Sequence, residues 1–211
     1  MAPLVTVVTA TWGRPRTITD VAIPSLDVQT YPDIQHIVVT DGRDPVLNDV
    51  MLKAGYTWGT GNRMLVNLGR NWSQIHGDGG VGAVPRQVGS LLAAGEYVCY
   101  LDDDNTYLPH HIATFVAALE TTGADFATSR WYLGGTHAQP SGSAPPRRGE
   151  TDTNAIMHRA MILKHGGWQP DGYESDGALV ERWIAAGCRW TFVDEPTVVV
   201  WSHRMGAADG I

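Results

Sequence analysis

YVCYLDDDN, residues 97–105, sets a short apolar run directly against three aspartates. Tyr97 to Leu101 has the β-branched and aromatic content of a buried strand. Successive strand residues point to opposite faces, so carrying the alternation onward puts Asp102 and Asp104 on one side and Asp103 on the other. Adjacent carboxylates repel one another, and a hard cation relieves that repulsion. Mg²⁺ or Mn²⁺ takes one or two carboxylates and completes its oxygen shell from water and substrate phosphates. A diphosphate held by such an ion is also a better leaving group, because the cation neutralises developing charge. The plain alternative is an acidic strand-to-helix turn in which one aspartate caps the next helix.

Upstream, the chain alternates strand-like and helix-like segments. Leu4 to Ala10 and His36 to Thr40 read as strands, Arg63 to Leu68 as a weaker one. Helical stretches fall at Thr17 to Val28, Pro45 to Ala54 and Pro85 to Ala94. Pro45 and Pro85 suit a first helical turn, where a missing N–H costs nothing. Pro24 lies inside its segment and predicts a kink or an early end. This alternation implies βαβ units and a mostly parallel sheet, in which ligands bind beyond the carboxyl ends of the strands. Chemistry is therefore expected just after Ala10, Thr40 and Leu101.

Downstream, a helix from Leu108 to Thr122 leads to a strand at Phe126 to Leu133. Residues 134–150, GGTHAQPSGSAPPRRGE, are rich in Gly, Pro and Ser and read as a long flexible loop. A helix at Asp176 to Ala186 follows, then strands at Thr191 to Val193 and Thr197 to Trp201 and an irregular tail. There is no internal repeat.

The bulk properties bound the function. A chain of 211 residues can bury a full core, and 43% hydrophobic with 18% charged residues is ordinary globular composition. The net charge of -7 argues against a dedicated nucleic-acid binder. Cys99 and Cys188 have no metal-ligand or CxxC spacing and read as buried free thiols of a reducing compartment. No apolar run reaches the length of a membrane span, so a cytoplasmic protein is expected.

With these segments in hand, the sequence resembles the family-2 glycosyltransferases of the GT-A fold. VTVVTATWGRP (5–15) is similar to that family's first strand and polar turn. IPSLDVQTYPDIQHIVVTDGRDP (23–45) resembles its helix, turn and second strand ending in an acidic DG. VPRQVGSLLAAGEYVCYLDDDN (84–105) resembles its Arg-bearing helix, GEY strand entry and metal motif. In the second half, DTNAIMHRAMILKHGGW (152–168) and YESDGALVERWIAAG (173–187) match less closely the family's strand-to-helix segment and its ED-type motif.

The resemblance implies roles. Asp41 would bind the base or ribose, Arg86 the nucleotide or diphosphate, and Thr9, Thr11 and Arg14 would cradle the nucleotide in the first turn. Asp102 would contact ribose or metal, Asp104 would be the principal metal ligand, and Asp103 would join the donor site. Asp176 matches the catalytic base, although its expected acidic predecessor is Ser175 and Glu174 lies one residue further back; either carboxylate is a candidate. An inverting transfer needs such a base for the acceptor hydroxyl. His203, after the last strand, is a candidate third metal ligand.

The implied whole is one α/β GT-A domain spanning 1–211. Residues 1–106 would hold a nucleotide sugar, UDP-linked by resemblance, with Mn²⁺ or Mg²⁺. Residues 107–211 would hold the acceptor, with Arg147 and Arg148 in the 134–150 loop and one or two of Trp131, Trp168, Trp183 and Trp201 near it. The acceptor class is undefined and a homodimer is left open. GDGGVG (77–82) satisfies GxGxxG but follows a polar stretch rather than a strand, and reads as a donor-side loop. Asp102–Thr106 also fits the nucleophile motif of haloacid-dehalogenase-like phosphatases, an alternative beside a non-catalytic nucleotide-sugar or glycan-binding module.

Overall fold

The computed structural model describes residues 2–76, 82–134 and 140–201. Among these residues ten strands form one sheet: β1 (Val5–Thr11), β2 (Ile34–Thr40), β3 (Thr57–Trp58), β4 (Arg63–Asn67), β5 (Tyr97–Tyr100), β6 (Thr106–Tyr107), β7 (Phe126–Leu133), β8 (Pro140–Ser141), β9 (Ile156–Arg159) and β10 (Trp190–Val200). Their order is β3-β4-β2-β1-β5-β9-β7-β10-β6, with β8 beside β7. From β3 to β5 all pairings are parallel, as the βαβ reading requires. Beyond β5, β9 runs antiparallel between β5 and β7. The α-helices are α1 (Pro15–Thr17), α2 (Ile23–Asp27), α3 (Pro45–Lys53), α4 (Trp72–His76), α5 (Ala83–Leu91), α6 (His111–Thr122) and α7 (Ser175–Ala185).

Strand alternation sorts the core into two layers. Val5 and Val7 of β1, with Tyr97 and Cys99 of β5, pack with Ile18, Leu47 and Phe115 on one face. Val8, Val98 and Tyr100 point the other way and pack with Leu179, Val180 and Trp183 of α7. Each fully buried aliphatic side chain contributes about 1.5–3 kcal/mol, so the doubly covered central strands anchor the fold. Close approach of α5 to β1 depends on Gly89, where a Cβ would lie 2.4 Å from Val8 Cγ1. Both cysteines are free and buried, as expected.

Several sequence expectations are corrected. Pro24 does not end its helix. A π-helical turn, Ile18–Ala22, precedes it, and Ile23 N–H bonds the Ile18 carbonyl five residues back. That wider turn, with α2 restarting around the proline, lets the segment run on to Asp27. The two late strands are one, β10, broken only by register shifts around Pro196. The 134–150 loop is not wholly irregular, since β8 pairs with β7. His111, at the start of α6, is a core group: it stacks on Tyr107 at 3.6 Å and meets Thr197 Oγ1 at 2.8 Å. Burial pushes its pKa down to about 3. No helix among the described residues is long and apolar enough to cross a membrane.

Candidate active site

The carboxyl ends of β1, β2 and β5 lie side by side, with Thr11 opposite Thr40 and Val8 opposite Tyr100. A cleft of about 210 Å³ opens there, lined by Thr11, Arg14, Asp41, Arg86 and the Asp102–Asp104 triplet among others. The alternation predicted for the triplet fails, because β5 ends at Tyr100 and Asp102 to Asp104 lie in a turn closed by Asn105 N–H to the Asp102 carbonyl at 3.2 Å. All three aspartates therefore face the cleft.

Each has a defined partner. Arg86 donates to Asp102 Oδ1 at 2.5 Å, and Asn154 Nδ2 donates to its Oδ2 at 3.0 Å. Thr11 Oγ1 donates to Asp103 at 2.6 Å, and one nitrogen of Arg14 reaches both Asp103 (3.0 Å) and Asp104 (2.8 Å). Asp103 is only 4% exposed. Burial raises its pKa to about 6, against the opposing pull of Arg14 and Thr11. Arg86 is buried, with its guanidinium 5.1 Å from the Trp168 ring. Burial opposes its charge most strongly, but Asp102, together with the charges of Asp176 and Asp152, outweighs burial and raises its pKa.

On the β1–β2 side the expected residues divide. Thr9 does not reach the cleft: its hydroxyl meets buried His36 Nε2 at 2.9 Å, on the face of β1 turned toward the core. Asp41 lines the cleft, yet its oxygens accept from Trp72 N (2.8 Å), Ser73 N (3.1 Å) and Ser73 Oγ (2.6 Å), so it caps α4. Trp12 lines the same wall and is 47% exposed, a position the sequence reading quoted without singling out.

From the other half of the chain come Asp176, Asp152 and Asn154. Asp176 opens α7 and accepts from its neighbour Gly177 N at 2.7 Å and from Thr153 Oγ1 at 3.4 Å. Burial raises its pKa to about 6, and it feels the charges of Arg86 and Asp102. Glu174 is exposed and lies beside Gly149. At Gly177 a Cβ would come 2.4 Å from Arg148 Cα, so the absence of a side chain seats the 147–149 backbone against α7. Arg147 and Arg148 are exposed and pair with Glu150 and Glu181, each at 2.9 Å. Of the four tryptophans, Trp183 is fully buried and Trp168 nearly so, which makes them core; Trp131 and Trp201 are partly buried.

Asp152 and Asn154 were not singled out in the sequence, although both stand in the DTN segment. Asn154 is fully buried and ties three groups together: its Oδ1 accepts from Asp102 N at 2.6 Å, and its Nδ2 donates to Asp102 Oδ2 and, at 2.8 Å, to Asp152 Oδ1. Burial first, and then the charge of Asp102, raise Asp152 to about 7. A carboxyl group with a raised folded-state pKa binds more protons folded than unfolded, so its effect on stability worsens as pH rises from about 4 to about 7. Asparagine at 152 keeps an acceptor for both Asn154 donors, which share Oδ1, and removes the charge. Asp152→Asn is expected to raise Tm by about 2–4 °C at pH 8, the equivalent of about 1 kcal/mol in a chain of this size. At pH 5 the difference should vanish. Melting curves at the two pH values check it.

For a metal, the donor chemistry fits. Asp102 and Asp104 would supply oxygen ligands on the cleft wall, where their side chains are 25% and 24% exposed. Among the described residues no three His, Cys, Asp or Glu side chains gather as a metal cage. The set matches a hard cation that shares its shell with phosphate oxygens and water rather than one enclosed by protein. His203, the Gly77–Val81 part of the GxGxxG stretch, residues 135–139 of the long loop and the tail from Ser202 lie outside the described residues.

The glycosyl transferase family 2 sequence model matches residues 79–177, from just before α5 to the start of α7. The structure resembles S. aureus TarS 1-349 in complex with UDP-GlcNAc (TM-score 0.73, 18% identity), covering 94% of this chain and 58% of that one. It also resembles the mannosyltransferase PcManGT from Pyrobaculum calidifontis in complex with GDP-Man and Mn²⁺ (TM-score 0.69, 15% identity), covering 96% of this chain and 57% of that one. A further S. aureus TarS structure, with TM-score 0.69 and 18% identity, is covered to 37% of its length by 94% of this chain. The chain thus spans well under two thirds of these proteins. At such identities the likeness shows the fold. No curated protein sequence matches the chain.

Proposed function

We infer that this chain, which carries the glycosyl transferase family 2 sequence over residues 79–177 on a GT-A fold, moves a sugar from a nucleotide diphosphate sugar to an acceptor hydroxyl. The observation that supports this most is one cleft lined by the aspartate triplet and two arginines, with Asp176, raised to about 6, within electrostatic reach. In this reading residues 1–106 hold the donor and residues 107–211 present the acceptor, working as one unit. A UDP-sugar is the preferred donor, since a neighbour of the same fold binds UDP-GlcNAc. A GDP-sugar belongs in the same test because another neighbour binds GDP-Man with Mn²⁺.

The chemistry follows from the side chains. Arg14 and Arg86 line the cleft where a diphosphate would lie, and guanidinium groups match phosphate oxygens geometrically. Asp104, with Asp102, would hold Mn²⁺ or Mg²⁺, which supplies charge neutralisation to the departing diphosphate. Asp176 takes the proton of the acceptor hydroxyl as its oxygen bonds to the anomeric carbon. The bond from that carbon to the diphosphate breaks in the same displacement, which inverts the configuration. The phosphatase alternative does not suit this topology, in which the motif follows the fifth strand in sequence and Asp102 is held by Arg86 and Asn154.

The test is a thermal-shift and calorimetric comparison of UDP, GDP, UDP-GlcNAc and GDP-Man, each with and without Mn²⁺. Stabilisation of about 2.7 kcal/mol is expected at a hundredfold excess over Kd for one nucleotide class, and only with the metal. No shift with any of the four would defeat the reading.

A further inference from the structure

We propose that Arg14 is an internal counter-ion of the aspartate triplet, competing with the divalent cation for Asp104 until a nucleotide diphosphate draws it away; this rests on the metal-dependent reading above. One guanidinium nitrogen of Arg14 contacts Asp104 at 2.8 Å and Asp103 at 3.0 Å. Arg86 compensates Asp102 from the other side. Three adjacent carboxylates make the triplet negative, which disfavours a bare diphosphate, and these two guanidinium groups offset part of that charge. A cation reverses that sign, but on Asp104 it must take lone pairs that Arg14 now uses.

The two arginines are not equivalent. Arg86 is buried on α5 with its guanidinium near Trp168, and its side chain is 9% exposed. Arg14 stands in the turn between β1 and α1, after Gly13 in the left-handed region (φ 69), and its side chain is 41% exposed. It can swing out of its contact without vacating a packed position. When it does, Asp103 keeps the Thr11 hydrogen bond at 2.6 Å, and Asp104 gives up its 2.8 Å contact with the guanidinium. A diphosphate offers a guanidinium paired anionic oxygens, a better match than one nitrogen split between two carboxylates. Nucleotide binding would thus take Arg14 from Asp104 and raise cation affinity, and linkage requires the cation to raise nucleotide affinity equally.

The experiment is Mn²⁺ binding, followed by the EPR signal of free Mn²⁺ at pH 7.5, for wild type, Arg14→Met and Arg14→Lys. Each is measured alone and with UDP or GDP, and melting curves confirm that the variants are folded. Without nucleotide, Arg14→Met should bind Mn²⁺ about five- to tenfold more tightly than wild type, the scale of one charge-assisted contact in a partly exposed setting. The enhancement that nucleotide gives should shrink by a similar factor, and Arg14→Lys should fall between. Unchanged or weaker Mn²⁺ binding by nucleotide-free Arg14→Met overturns the competition while leaving the glycosyl-transfer reading intact. Absence of Mn²⁺ binding in every protein, with and without either nucleotide, overturns the metal-dependent reading and this inference with it.

Discussion

Asparagine at position 176 is expected to lower kcat by about 10²–10⁴-fold, the usual contribution of a positioned general base. Nucleotide affinity should stay within about twofold of wild type, because Asp176 lies outside the residues that line the donor cleft. The pH profile separates this from a folding defect. A base works ionised, and burial lifts Asp176 to about 6. The rate of the wild-type enzyme should therefore fall about tenfold per unit as pH drops below about 6, and Asp176→Asn should lose that acid limb. Glu174→Gln should keep both rate and profile, since Glu174 is exposed beside Gly149. The reverse pattern would move the base to Glu174. The measurement is steady-state kinetics across pH with the donor identified by the binding screen.

The parallel half of the fold was legible because its strands have no competing reading. VTVVTAT, IQHIVVT and YVCY are β-branched or aromatic runs bounded by turn residues, and all three became central strands. Legibility failed where structure depends on partners distant in sequence. β9, whose short strand-to-helix segment came from the family resemblance alone, pairs antiparallel with β5 and β7, contacts that local pattern cannot supply. β6 and β8 are two residues each, below any periodicity. Pro24 was read as a kink or an early end, and of these termination did not occur: a backbone adjustment, the π turn, precedes the proline instead.

The site followed the same division. Asp102 and Asp104 were sought where they lie because the end of a buried strand is where a parallel sheet presents its chemistry, whereas Arg86, on α5, came only from the family resemblance. Thr9 stops two residues short of Thr11, which does line the cleft, since a threonine near a strand end reads the same whether it meets solvent or a buried histidine such as His36. Asp103 was first turned away by extending strand geometry two residues past the last strand residue, Tyr100. Asp152 and Asn154 went unremarked because nothing in DTNAIMHR marks an asparagine as the bridge between two carboxylates. Only the position of β9 beside β5 brings it there.

That bridge is where the other large effect is expected. Asn154→Ala should destabilise the protein by about 3–5 kcal/mol at pH 7.5, from hydrogen bonds to charged groups at about 1.5–3 kcal/mol and a buried N–H left without an acceptor at about 1–3 kcal/mol. In a chain of this length that is a fall in Tm of roughly 10 °C or more. The loss should also depend on pH. Asn154 Nδ2 stands between Asp102 and Asp152, and removing it leaves two carboxylates facing each other with no donor between. Asp152, already raised to about 7, is protonated at pH 5 and can itself donate, so the penalty should be smaller there than at pH 7.5. If Asn154 only filled space, alanine would cost the same at both pH values. Urea unfolding of wild type and Asn154→Ala at pH 5 and 7.5 distinguishes the two, and a pH-independent difference would reduce Asn154 from electrostatic bridge to packing.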